Sequence, residues 1–397
     1  MNLAFLEMAT RKTKIRLGLL AVAIIILLVM LFFLFCGKKD VRVDSAGSFE
    51  WAIYNLNAPY GVAIGAEENV YVSNTGAGEV NIYDRDGELL RKLLPYIDET
   101  IDASAVEYGA AGQQYGASGQ QYDNAAGEQY GAAGEQYGAA GQQYGRQEPQ
   151  FYAPYGIAID IDSNKVYVCD FNWRGVRVVE SSGKLLYNLP RDPKAFKGIG
   201  ADFIPYGVAL MGDRVYVAAK DGVYIFDNEG KYIERWGQKG DKRVQFNFPN
   251  GIATDPDHEV IYVTDSLNRR LVALEPSGKV KWTLGAPDVE GQIISPLQLP
   301  RSVTVGPYGL VLVSDTFSHR IDVFDKDGKL VSVFGERGTN DYELNFPEGM
   351  ALTADRRLYI VDRGNNRLQA WRLASELPKP DGSEVKKFSE TLKTGGQ

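Results

Sequence analysis

The chain has 397 residues, a net charge of −8, two cysteines and two histidines. An acidic chain lacks the broad positive face that a nucleic-acid backbone requires. Two cysteines cannot build a zinc RING domain, and with no Cys-x-x-Cys-His run there is no site for covalent haem.

Residues 1–16 form a short basic tail with Arg11, Lys12, Lys14 and Arg16. Leu17 to Cys36 follows as an uncharged run that includes Ile24-Ile25-Ile26 and Phe32-Phe33-Leu34-Phe35. Its length is that of one membrane-spanning helix, about 20 residues. A cleaved signal peptide would have a shorter apolar region and small residues at its end; this run ends in bulky side chains. Lys38, Lys39 and Arg42 follow the span, so the charge asymmetry is thin. The short basic tail favours a cytoplasmic N-terminus. The expectation is a single-pass protein of the cell membrane, with residues 37–48 as a linker to an extracytoplasmic body.

That body is repetitive. Six openings of Pro, a variable residue and Gly or Ser recur: Pro59-Tyr60-Gly61, Pro154-Tyr155-Gly156, Pro205-Tyr206-Gly207, Pro249-Asn250-Gly251, Pro300-Arg301-Ser302 and Pro347-Glu348-Gly349. Each leads into an alternating, β-branched run such as Ile252-Ala253-Thr254, and a second run such as Ile261-Tyr262-Val263 comes about ten residues later. A third and a fourth run are joined by turns such as Asp227-Asn228-Glu229-Gly230 and Asp325-Lys326-Asp327-Gly328. All but the first spacing fall near the 40–50 residues of a propeller blade. The pattern predicts an all-β, six-bladed β-propeller over residues 49–373. The last copy stops after its third strand, whereas Phe49–Leu56 is an orphan strand ahead of the first copy. The N-terminal strand is therefore expected to complete the sixth blade and remove two open edges. Residues 374–397 read as a polar C-terminal tail.

The first spacing is long because of an insertion at 107–147, built on phrases such as Tyr108-Gly109-Ala110-Ala111-Gly112-Gln113-Gln114. Two glycines per unit cost a helix about 2 kcal/mol relative to alanine, and no aliphatic core is present, so disorder is expected. Leaving blade 1 after its fourth strand, it should emerge on the top face. It could be a tolerated surface loop or a Tyr-bearing arm for self-association.

In the fourth copy Asp265, Asn268, Arg270 and Gly278 recur in order. In the fifth come Asp315, Arg320, Asp325, Gly328, Phe334 and Gly335, and in the sixth Asp362, Asn366 and Arg367. With the Pro-x-Gly openings, these residues resemble the NHL-repeat family. The first three copies depart from the pattern: Asn74 replaces the Asp, Glu79 the Arg, and Ala219 lies in a shortened loop. The resemblance implies a propeller and says little about activity, since propellers host many.

The variable residue of each opening should enter the innermost strand at the top mouth of the central channel. Tyr60, Tyr155 and Tyr206 would make one half aromatic; Asn250, Arg301 and Glu348 would make the other polar and charged. Such a rim suits a ligand with one apolar and one charged or hydroxylated face; the alternative is plain packing of the rim. Flanking top loops add Phe171, Asn172, Trp173, Arg174, Phe317, His319 and Arg363 as binding candidates. The recurring pairs Asp265–Arg270, Asp315–Arg320 and Asp362–Arg367 read as structural bridges. The two histidines, His258 at the bottom and His319 at the top, stand too far apart to share an ion. No catalytic or metal-ligating set and no cofactor is implied. The expectation is a non-enzymatic binding or scaffold module that takes a protein, peptide or glycan on its top face, without nucleic acid. The alternatives are a metal-dependent hydrolase or lyase of propeller type, and a sensor coupled to a membrane partner.

Overall fold

A computed structural model describes residues 47–96, 151–192, 203–237, 245–287, 293–377, 379 and 382–394. The basic tail, the run Leu17–Cys36, nearly all of the linker and the insertion 107–147 lie outside these residues. Among the described residues no helix is long and apolar enough to cross a membrane.

Six antiparallel sheets carry the chain around a ring. The fourth blade is representative, with strands Pro249–Asp255, Val260–Asp265, Arg270–Leu274 and Val280–Leu284 from the channel outward. Its second strand is buried throughout. The reason lies in the period of two along a strand. Ile261 and Val263 face the apolar layer shared with blade 3, whereas Val260 and Tyr262 face the layer shared with blade 5. Both faces are covered, so the run is almost wholly apolar rather than alternating. The hydrophobic core is thus divided into six slabs, each between neighbouring blades.

The ring closes as the orphan strand requires. Gly47–Ile53 pairs antiparallel with Arg367–Leu373 and completes the sixth blade. Glu50 holds the joint: its Oε1 accepts from Arg372 Nε at 3.0 Å, and its other oxygen lies 2.5 Å from Arg357 Nε. Trp51 packs on Tyr359 of the same blade, with ring centres 5.7 Å apart, and lies against Gly87 of blade 1.

The Gly of the repeated opening has a specific cause. A Cβ on Gly61 would stand 2.2 Å from the carbonyl oxygen of Tyr155, one on Gly156 2.6 Å from that of Tyr206, and one on Gly349 2.5 Å from that of Tyr60. Gly207 and Gly251 meet Asn250 and Arg301 of the next blade in the same way. Innermost strands touch backbone to backbone, which only a residue without a side chain permits. Ser302 in blade 5 is the exception.

The Asp that ends the second strand ties the preceding loop to the blade. Asp170 accepts the backbone N–H groups of Tyr152 and Ala153, Asp315 those of Gln298 and Leu299, Asp265 that of Asn247 and Asp362 that of Asn345. In blade 1 Asn74 does the same for Asn57. The turn that follows ends in a left-handed residue, Arg174, Arg269, His319 or Asn366, with φ between 50° and 60°.

Two features go beyond the sequence reading. The residues leaving blade 1 dock on blade 2: Tyr96 pairs with Lys184 in the turn before its fourth strand. The polar C-terminal tail contains a helix, Gly382–Thr391, and a strand, Leu392–Thr394, that adds a fifth strand to blade 4 beside Val280–Leu284. Phe388 of the helix is buried against Phe324 of blade 5, ring centres 5.4 Å apart. Phe388 and Leu392, two apolar side chains in a polar stretch, were the local signals for this docking.

Candidate functional site at the channel mouth

The Pro-x-Gly strands open at the end of the ring that also carries the turns between second and third strands, since Pro249 pairs with Asp265 and Asp265 with Arg270. Tyr60, Tyr206, Asn250, Arg301 and Glu348 converge there on a cavity of about 80 Å³. Tyr60 is buried and reaches across the channel, its hydroxyl donating to Asn250 Oδ1 at 2.6 Å. Burial pushes that phenol well above its ordinary pKa, and Glu348 adds to the rise, so it stays a neutral donor.

Tyr155 lies outside the cavity lining but beside it. Its ring centre is 4.0 Å from that of Tyr60, and it stacks on Tyr206 at 6.1 Å. Phe171 packs on both Tyr155 and Tyr206, at 4.9 and 5.7 Å. The aromatic half of the mouth is therefore a continuous cluster in which Tyr60 and Tyr206 are buried and Tyr155 and Phe171 are half-buried.

The polar half is more demanding. Glu348 is 1% exposed, and neither of its carboxylate oxygens has a hydrogen-bond partner. The guanidinium of Arg363 lies 3.6 Å away and also sits over the Tyr60 ring at 5.6 Å. The Nδ2 of Asn250 is likewise buried without a partner. Burying polar atoms in this way costs free energy unless something in the cavity meets them.

The remaining candidates lie on the outer part of the face. Trp173 is buried and stacks under the guanidinium of Arg177, 5.3 Å away, so it faces its own blade rather than the channel. Arg174 occupies the left-handed corner of its turn. His319 holds the same corner in blade 5; its Nδ1 accepts the backbone N–H of Phe346 at 3.1 Å. Burial, with help from Arg337, lowers its pKa, which keeps the ring neutral for that role. Phe317 is 37% exposed and meets Phe346 edge-on at 6.2 Å.

Sequence reasoning passed over three residues of this face. Phe248 and Phe346 directly precede Pro249 and Pro347, both with φ near 55°, and Phe248 packs on Tyr206. Leu267 stands exposed at the tip of the blade 4 turn. An aromatic before the repeated Pro, at 248 and 346, was the available signal. Among the described residues no cluster of three or more His, Cys, Asp or Glu side chains is placed to hold a metal ion.

A family model for the NHL repeat matches residues 344–371. The chain is similar to NHL repeat-containing protein 3 of Homo sapiens, 25% identical over 207 residues that cover 47% of this chain and 57% of that protein. It is similar to NHL repeat-containing protein 3 of Mus musculus, 26% identical over 197 residues covering 46% and 54%. The chain thus spans about half the length of the curated relatives it matches. Among solved structures it is similar to virginiamycin B lyase from Staphylococcus aureus, with a TM-score of 0.48 and 12% identity over 82% of this chain and 99% of that one. The chain thus carries an NHL repeat at residues 344–371, is similar to NHL repeat-containing proteins and closes a ring of six sheets.

Proposed function

We propose that the chain is a non-enzymatic binding or scaffold module that grips a protein, peptide or glycan partner on its top face. The observation that carries this reading is the set of apolar side chains spread around that face. Phe317 and Leu267 stand exposed and Tyr155, Phe171, Phe248 and Phe346 half-buried around a mouth with charged residues. Aromatic anchors beside a polar centre are the usual make-up of a binding patch. The run Leu17–Cys36 supports attachment to a membrane with the propeller on the extracytoplasmic side, and the Tyr-rich insertion supports a further role in self-association.

The test places a photo-crosslinking residue at Phe317, at Leu267 or at Tyr308 in the full chain. Tyr308 is 92% exposed at the opposite end of blade 5 and serves as the control. Discrete adducts at 317 and 267 but not at 308 are expected; equal labelling at all three would sink the reading. Replacing Tyr155, Tyr206 and Arg301 together is a poorer test, because the buried Tyr206 ring packs on three aromatic neighbours and its loss would weaken the fold.

A further inference from the structure

We propose that the channel mouth is a subsite for the hydroxyl edge of an uncharged sugar, its vicinal hydroxyls meeting Glu348 and Asn250 and its ring lying beside Tyr155. The proposal rests on the top-face reading and narrows it to one chemistry.

The cavity is small. At roughly 15 Å³ per water, about 80 Å³ holds a handful of waters or the same number of hydroxyl-sized groups. That is well short of the several hundred Å³ of a pocket that swallows a whole ligand. Only an edge can enter, and the rest must lie over the rim.

The atoms facing the cavity select the kind of edge. Glu348 offers two acceptor oxygens and Asn250 a donor N–H₂, all buried and without a hydrogen bond, Glu348 keeping only its ion pair with Arg363. A carboxylate or phosphate brings only acceptors; it would leave Glu348 unmet and be repelled by it. An ammonium group or metal cation brings no acceptor for Asn250. It would also sit beside two guanidinium groups, Arg301 and Arg363, against one carboxylate. A hydroxyl both donates and accepts, and two on neighbouring carbons can meet Glu348 and Asn250 at once. Next to this polar half stands the half-buried ring of Tyr155, backed by Tyr60, Tyr206 and Phe171. A fixed aromatic surface beside a donor–acceptor cluster matches a sugar, which carries C–H faces and hydroxyl edges on one rigid ring. A peptide amide could also donate and accept, but it has no flat apolar face tied to that edge.

The experiment is calorimetric titration of the full chain with trisaccharides of glucose, galactose and mannose, which between them present equatorial and axial vicinal hydroxyls. A Gly-Gln-Gly tripeptide is the comparison. At least one trisaccharide should bind with Kd below about 1 mM. Glu348→Gln keeps the volume and one acceptor oxygen but takes the carboxylate from Arg363, so its thermal unfolding is measured beside the titration; it should weaken that binding at least tenfold. Tyr155→Ala should weaken it too, and Tyr308→Ser, at the opposite end of blade 5, should leave it unchanged. No heat with any trisaccharide would show that water alone fills the cavity and would overturn the proposal. So would binding indifferent to Glu348→Gln, or tripeptide binding with the same dependence on Glu348. Crosslinking at Phe317 that persists without sugar binding would leave the wider top-face reading standing and remove only this one.

Discussion

Blades 4 and 6 and blade 5 carry the same Asp-to-Arg spacing and use it differently. In blades 4 and 6 the guanidinium returns to the Asp across the turn: Arg270 Nε donates to Asp265 at 2.7 Å and Arg367 Nε to Asp362 at 2.7 Å, all four groups buried. The same arginines then donate to the backbone oxygens of the preceding loop, Arg270 to Gln245 and Arg367 to Thr339, Asn340 and Glu343. In blade 5, Asp315 and Arg320 are register partners but Arg320 bonds elsewhere. It lies 3.0 Å from Asp322, 3.5 Å from Glu384 of the C-terminal helix and over the Phe388 ring. The expected bridge Asp315–Arg320 is thus replaced. The cause is the side chain two residues on. Blade 4 has Val272 there and blade 6 has Gln369, neither charged; blade 5 has a second carboxylate, which draws the arginine outward to where the C-terminal segment docks. Blade 1 solves the joint with reversed polarity: Asn74 Nδ2 donates to Glu79 Oε1 at 3.0 Å. Repeat spacing fixes where the partners stand, and the neighbours decide which of them bond.

The largest effect that would break this comparison is Arg367→Ala. It leaves Asp362 buried beside a loop that has lost its donors. Removing one partner of a buried pair costs about 3–5 kcal/mol; urea unfolding should show a loss of that size, and less than about 1 kcal/mol would mean the bridge is dispensable. Asp322→Asn comes next and has the opposite sign. Burial pushes Asp322 up to about 7, against the pull of Arg320, from an ordinary 3.8. The folded state therefore holds a proton that the unfolded state releases, so the stability this group contributes is fully present below about pH 4 and is lost as pH rises through about 7. The neutral isostere should raise stability at pH 8 by on the order of 2–4 kcal/mol and flatten the fall between pH 4 and 7. Unchanged slopes for the two proteins would contradict it. Glu384→Gln is the smallest. As a partly exposed ion pair it should cost under about 1 kcal/mol, and hydrogen exchange should register it as faster exchange at Leu392–Thr394 rather than as a lower melting temperature.

Much of the ring was legible because its signals are local and repeated. The Pro-x-Gly openings, the Asp-x-x-Gly turns and the unpaired strand around Trp51 each specify backbone geometry on their own, and six copies average out the departures. The rim was legible as a list of positions, since the residue after each repeated Pro must enter the innermost strand. What each rim residue does was not, because that depends on partners far away in sequence: Tyr60 finds Asn250 three blades on, and Glu348 loses its hydrogen bonds only through packing from its neighbours. Trp173 shows the same limit. Its place in a top loop was readable, but its turn toward Arg177 was not. The C-terminal docking rests on one phenylalanine and three strand residues, too short a stretch for periodicity to speak.

Ser302 stands where five blades have glycine. Its Cβ needs room that the other joints, closed to 2.2–2.6 Å from carbonyl oxygen to an imagined Cβ, do not give. The joint between blades 5 and 6 must therefore leave room for a side chain between Arg301 and Glu348. It is the one joint of the ring that does not set glycine against a neighbour's carbonyl, and it falls within the polar half of the mouth.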